Sequence, residues 1–246
     1  MRMRLFLALG LCLALLMPAR AQEAFTPAQR TEVIEIMRRA LREDPSILRE
    51  AFAAVEAQEA EERRTAAARA LVEAREQLVA DAADPVRGNP RGDITVVEFF
   101  DVRCPYCRQL TSVMTELVRR DGNLRLVMKD LPILGPNSVV ASRALLAAQR
   151  QGKYGELYDA LMALRGDVAE AQIRPVAERL GLDWTRLRRD MDDPAIQARL
   201  DGNVALARRL GIEGTPALVV GDRLVPGLVP LETLTQMVAE ARAARR

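Results

Sequence analysis

The sequence predicts an α/β domain preceded by a helical arm, on three observations. An apolar run from Ile94 to Phe100 passes almost directly into Cys104-Pro105-Tyr106-Cys107, and a second run, Leu124 to Lys129, follows one helix later. From Asn137 to about Leu210 the pattern is helical throughout, and an all-helical block between the halves of an α/β sheet reads as an inserted subdomain. Ahead of all this, the stretch from Pro45 to about Ala82 has no Gly and no further Pro, so one helix of about 50 Å or more can form there.

Taken in order, residues 1–21 have Arg2 and Arg4, an apolar run from Leu5 to Met17, and Ala19-Arg20-Ala21 as a small-x-small cleavage site. That is a secretory signal peptide, with an apolar run too short for a comfortable membrane span. The mature chain is expected to begin near Gln22, and Cys12, behind the bulky Leu11, is expected to leave with the leader rather than carry a lipid. Loss of the leader takes the balance from 36 basic and 34 acidic residues to 33 and 34. A neutral chain gives no support to nucleic acid or an anionic membrane as partner.

Thr26-Pro27-Ala28-Gln29 is a helix start, with Thr26 as cap, Pro27 in the first helical position and Gln29 reaching back. Val33, Met37 and Leu41 then recur on one face, and Asp44-Pro45 ends that helix and opens the long one. The long helix has Leu48, Phe52 and Val55 near its start and Leu71, Ala74 and Leu78 near its end, but no large apolar side chain between Glu56 and Arg69. Two readings of residues 22–83 stand: a solvated tether, or an arm through which copies associate. Asp84-Pro85 and Gly88-Asn89-Pro90-Arg91-Gly92-Asp93 then break the pattern, so the second domain is expected over 84–246, with its helical insertion at about 137–210.

Ile94 to Phe100 is nearly unbroken apolar sequence, as in a central strand covered on both faces. Glu98 is the exception. Buried, it should have a raised pKa and suit proton exchange with a nearby thiol; alternatively it is edge-facing or paired, with Lys129 the obvious partner. Asp101 reads either as a turn residue or as a second acid.

Cys104 and Cys107 lie one helical turn apart, and Pro105 suits the first helical position because it has no N–H to lose. A strand followed by C-x-x-C is a redox signature. Cys104 sits where unpaired N–H groups and the helix dipole favour a thiolate, so it is the expected attacking sulfur, and Cys107 the resolving one. A four-ligand zinc site is excluded within the chain, which has no histidine and no cysteine beyond this pair outside the leader. Two thiolates holding Cu(I) remain an alternative.

After the Cys107 helix, Leu124 to Lys129 completes a β-α-β unit with an expected right-handed crossover. Beyond the helical block, Ala217 to Val220, a Gly221-Asp222 turn and Leu224-Val225 form a hairpin, Pro216 begins its first strand, and Pro230 to Ala244 is the closing helix.

Glu98-Phe99-Phe100-Asp101 before Cys104-Pro105-Tyr106-Cys107, with Lys129-Asp130-Leu131-Pro132-Ile133-Leu134-Gly135-Pro136 and Gly214-Thr215-Pro216-Ala217, resembles the DsbA-like thioredoxin-fold proteins of the bacterial periplasm. The nearest likeness is to the suppressor of copper sensitivity protein C (ScsC) group, over nearly the whole mature chain. The resemblance implies a thioredoxin fold with a helical insertion, a cis Pro216 facing the cysteines, and a substrate groove formed by Thr215, Pro216, Pro105 and Tyr106. It implies an acid at Glu98 that moves protons for Cys107, no bound cofactor and no resident metal.

The implied activity is periplasmic thiol-disulfide exchange on unfolded or misdisulfided secreted proteins, reset by a membrane redox partner, with no membrane insertion of the mature chain. Isomerase is favoured over oxidase or reductase on two counts. Tyr106 stands where DsbA-type oxidases place a histidine, and ScsC-like proteins include forms whose N-terminal segment makes a homo-oligomer, which would present several sites to one client. A Cu(I)-binding copper-tolerance protein and a holdase-like binding module are the readings from other classes.

Overall fold

The computed structural model describes residues 25–245; the leader, its Cys12 and the start expected at Gln22 lie outside them. The described chain forms α1 (Pro27–Glu43), α2 (Ser46–Glu73), α3 (Arg75–Val79), β1 (Val86–Gly88), β2 (Ile94–Phe100), α4 (Pro105–Arg120) and β3 (Leu124–Asp130). Then follow α5 (Pro136–Gln149), α6 (Tyr154–Ala163), α7 (Glu170–Arg179), α8 (Trp184–Met191) and α9 (Pro194–Arg209). The chain closes with β4 (Ala217–Val220), β5 (Arg223–Pro226) and α10 (Leu231–Ala243).

Caps explain several helix starts. Thr26 and Gln29 form a reciprocal capping box ahead of Pro27, and Asp183 and Asp193 cap α8 and α9 by accepting from Arg186 N–H and Ala195 N–H. The five strands lie in the order β1-β3-β2-β4-β5, with β2 and β3 parallel and every other pair antiparallel. This is the expected α/β layout, with α4 crossing from β2 to β3 and the inserted helices α5 to α9 before β4.

Strand period two divides the core between the two faces of the sheet. Val96, Phe100, Leu126 and Met128 pack with α4, the inserted helices and α10, among them Cys107, Leu110, Met114, Leu145 and Tyr158. Val97, Phe99, Val127 and Val219 face the other way, onto Leu206 and Leu210 and onto Leu71, Ala74 and Leu78.

Two differences from the sequence reading concern the lead into the domain. The three-residue β1 was not expected; Gly88, at φ +73° with Leu124 O 2.6 Å from where a Cβ would stand, ends it at a point only glycine can occupy. The long helix stops at Glu73 and restarts at Arg75, and the chain divides into compact units after Ala60 rather than after residue 83. Leu71, Ala74 and Leu78, assigned by sequence to the arm, are buried against the sheet and belong to the second unit. Polar contacts hold that segment too: Lys129 Nζ donates to Gln77 O at 2.7 Å and to Asp84 at 2.5 Å, and Arg125 donates to Val79 O.

Leu78 is 3% exposed, so Leu78→Ala should destabilise the domain by about 2–4 kcal/mol in urea unfolding. Exposed Val72, one helix position beyond Leu71, should change by less than about 0.5 kcal/mol on the same substitution.

Among the described residues of the first unit most large apolar side chains are exposed. None of α1 is buried, and Val33, Ile34, Met37, Leu48, Phe52 and Val55 are all exposed.

Candidate active site

Cys104 is the N-cap of α4, in extended conformation (φ −72°, ψ 119°), and Pro105 occupies the first helical position behind it. The N–H groups of the first turn therefore face the sulfur with no intrahelical partner. Cys104 is 4% exposed and Cys107 is fully buried, so only the first sulfur has a route to solvent. Both are free thiols.

Their environments push the two thiols apart. Cys104 is lowered to about 5, chiefly because the Cys107 thiol donates to it, with help from the N–H groups of Cys107 and Tyr106 against the cost of partial burial. Cys107 is pushed strongly upward, first by that same donation to Cys104 and then by burial. At neutral pH the reduced pair therefore holds its negative charge on Cys104.

The Thr215–Pro216 peptide is cis, and Cys104 Sγ lies 3.1 Å from Thr215 O. Thr215, Pro216, Pro105 and Tyr106 thus gather around one sulfur from the ends of β4 and α4. Tyr106 is 59% exposed. Asp101 accepts from Arg103, Ile133 and Leu134 backbone N–H groups at 2.8–3.0 Å, which makes it a turn residue pinning the loop after β3 rather than a second acid for the thiols. That loop presents Ile133 and Leu134 to solvent, and Leu228 is exposed beside Gly227, whose N–H bonds Pro216 O.

Behind the thiols lies a polar cluster. Glu98 is fully buried, neither carboxylate oxygen has a hydrogen-bond partner among the described residues, and burial raises its pKa to about 7, opposed by Arg87. Lys129 is not its partner. Residue 98 pairs with Met128 and residue 99 with Lys129, so the lysine lies on the opposite face of the sheet, where it holds Asp84. Asp130 shares the Glu98 face two residues further on, is also fully buried, and is raised by burial to about 7 while accepting from Tyr154 Oη at 3.0 Å. Tyr154 stacks on Tyr158, whose hydroxyl lies 3.2 Å from Thr111 Oγ1, and Thr111 in turn donates to Cys107 O.

Sequence reasoning singled out both cysteines, Glu98, Thr215 and Pro216, of which the structure brings Cys104 to Thr215 O and buries Glu98 without a partner; it did not single out Asp130, Tyr154, Tyr158, Thr111 or Arg87. Asp130 lies an even number of residues from Met128, the register partner of Glu98, and so on the same face, but that register is set by the assembled sheet and not by the sequence of either strand.

The buried Glu98 makes the stability of the domain depend on pH. A carboxyl at about 7 when folded and about 4.3 when unfolded costs nothing below pH 4; the cost grows as pH rises through that window and is constant above it. Glu98→Gln removes the titration. Relative to the parent, the variant should therefore gain about 3 kcal/mol between pH 4 and pH 8 in denaturant unfolding. An unchanged difference at the two pH values would show Glu98 to be solvated or paired.

Comparison with known proteins agrees with this geometry. The DSBA-like thioredoxin domain family matches residues 95–239. A thioredoxin-like oxidoreductase from Silicibacter pomeroyi DSS-3 is 47% identical, with a TM-score of 0.67 over 69% of this chain and 98% of that one. Proteus mirabilis ScsC in a transitional conformation is 30% identical, with a TM-score of 0.68 over 89% of this chain and 100% of that one. Among curated proteins, the Na(+)/H(+) antiporter NhaA 1 of Salinispora arenicola is 36% identical over 165 residues, which is 66% of this chain but 25% of that protein. The chain thus spans about a quarter of the length of such relatives. No helix among its described residues is long and apolar enough to cross a membrane.

Proposed function

The chain belongs to the DsbA-like thioredoxin family of thiol-disulfide oxidoreductases, and from that premise we propose that it is a periplasmic disulfide isomerase of secreted proteins. Cys104 is the attacking thiol, Cys107 the resolving thiol, Glu98 the proton acceptor and donor for Cys107, and Thr215, Pro216, Pro105 and Tyr106 form the client groove. The observation that carries the exchange chemistry is the charge asymmetry of the thiols, one ionised at the helix start and the other neutral and sealed behind it.

The Cys104 thiolate attacks one sulfur of a client disulfide, forming a mixed disulfide and releasing the other client sulfur as a thiolate. In isomerisation that released thiolate, or another on the client, attacks the mixed disulfide on the client sulfur. Cys104 leaves as a thiolate, and no net electrons are transferred. When no client thiol arrives, Glu98 takes the Cys107 proton and Cys107 attacks Cys104, closing the Cys104–Cys107 disulfide and releasing a reduced client. The two electrons come from the protein's own thiols and are restored by a membrane redox partner. The exposed Tyr106, Ile133, Leu134 and Leu228 suit a client whose apolar segments are still unfolded.

Isomerisation is preferred because the exposed apolar faces of α1 and the start of α2 suit self-association, which would bring several Cys104 sites to one client. Net oxidation is the second reading, favoured by the low pKa of Cys104, which makes that sulfur a good leaving group. Reactivation of scrambled ribonuclease beside oxidation of reduced ribonuclease decides between them. The isomerase reading expects the first reaction to proceed with reduced protein in catalytic amount; activity in the second alone would replace it with the oxidase.

A further inference from the structure

Arg87 is the feature of the buried cluster that the exchange steps above leave unused. It lies on β1, opposite Leu126, which in turn lies opposite Val96; all three share the Glu98 face, with Glu98 one pleat beyond Val96. Its guanidinium carbon sits 4.8 Å above the centre of the Tyr158 ring, and its Nη2 pairs with both oxygens of Asp159 at 2.7 and 2.9 Å. The aromatic face and the exposed carboxylate together hold the cation at the edge of the cluster.

From this geometry we propose that Arg87 is a positioning residue for Glu98: held by Tyr158 and Asp159, it is the cation whose field lets the buried carboxyl part with its proton. The relevance of this to exchange rests on the proton-transfer reading of Glu98. The groups facing Glu98 from neighbouring elements leave no other cation for the task among those placed here. Its own sheet contributes Asp130 and the apolar Met128 and Leu218, and α6 contributes Tyr154 and Tyr158, on both of which the Glu98 charge acts. All the titratable groups among these are neutral or negative. With both Glu98 oxygens lacking a hydrogen-bond partner, charge at a distance is what remains to stabilise the carboxylate.

Arg87 is also well insulated. Its side chain is 16% exposed, against 52% for Asp159, so salt screens its field on Glu98 less than the outer ion pair. The sign of each substitution is then fixed. Arg87→Gln removes the cation and should shift the Glu98 midpoint upward. Asp159→Asn leaves the cation on Tyr158 without its compensating anion and should shift that midpoint downward.

The test is an infrared pH titration of the reduced mature chain, following the carboxyl band of Glu98, identified as the band lost in Glu98→Gln. A rise of half a pH unit or more in Arg87→Gln, about a threefold gain in proton affinity, is the expected result, with a fall in Asp159→Asn. An unmoved midpoint in Arg87→Gln overturns the proposal. Should that variant not fold, Asp159→Asn decides alone, and a midpoint that fails to fall overturns it. The pH dependence of client release from a Cys104 mixed disulfide separates this outcome from the Glu98 reading. If Glu98→Gln leaves that dependence intact, the proton-transfer role fails, while the infrared midpoint still decides what Arg87 does.

Discussion

Cys104→Ser should abolish disulfide exchange, whereas Cys107→Ser should retain the first attack and accumulate the mixed disulfide on Cys104. The asymmetry follows from the positions of the sulfurs. Cys104 caps α4 and is the one with a route to solvent; Cys107, fully buried, can reach no client sulfur. The pH dependence should carry the same signature. With Cys104 at about 5, half of it is thiolate at pH 5, against about 0.03% of a free cysteine at 8.5. A more acidic thiol is also a weaker nucleophile, by about 40-fold over that interval, so a net alkylation advantage of about 40-fold remains at pH 5. Mass spectrometry of the reduced protein pulsed with iodoacetamide should place the first label on Cys104, with a rate that falls as pH drops through 5. First labelling on Cys107 would reverse the assigned roles.

The parts of this site that could be read from sequence are those set by local spacing. Cys104, Pro105 and Cys107 define a helix start whatever surrounds them, and Glu98 is conspicuous because acids are rare in an apolar strand. What depends on which face a residue takes in the assembled sheet was less legible. Lys129 looked like a partner for Glu98 because both are charged residues on adjacent parallel strands, but Glu98 is level with Met128, and one residue of offset puts Lys129 on the other face. The same parity puts Asp130 on the Glu98 face, a placement the sequence analysis did not anticipate. Arg87 was invisible for another reason: β1 is three residues long and too short to show alternation.

The arm shows a further limit of pattern. Leu71, Ala74 and Leu78 have helical spacing, and that spacing says that one face is apolar without saying what it meets. It meets Val97, Phe99 and Val127 on the back of the sheet. A cut at Asp84 would thus strip core from the domain as well as the arm, and any loss of activity would be ambiguous. A cut before Glu61 leaves that core intact.

Removal of residues 22–60 is therefore the informative truncation, and it should yield a monomer that still exchanges single disulfides at the parent rate but reactivates scrambled ribonuclease at least tenfold more slowly. Both cysteines, Glu98, Thr215 and Pro216 lie in the retained unit, so the chemistry of one encounter is untouched. What is lost is the apolar surface of Val33, Ile34, Met37, Leu48, Phe52 and Val55, which is exposed among the described residues and which association between copies would bury. Isomerisation needs repeated attack on one client, and a second site tethered nearby acts at an effective concentration that can reach millimolar. At micromolar protein that exceeds the free concentration by orders of magnitude, whereas a single oxidation step gains nothing from it. Light scattering on the mature chain and on the truncated one, run beside both enzyme assays, separates the cases. A mature chain that is already monomeric at micromolar concentration removes the oligomer and, with it, the physical reason for preferring isomerase to oxidase.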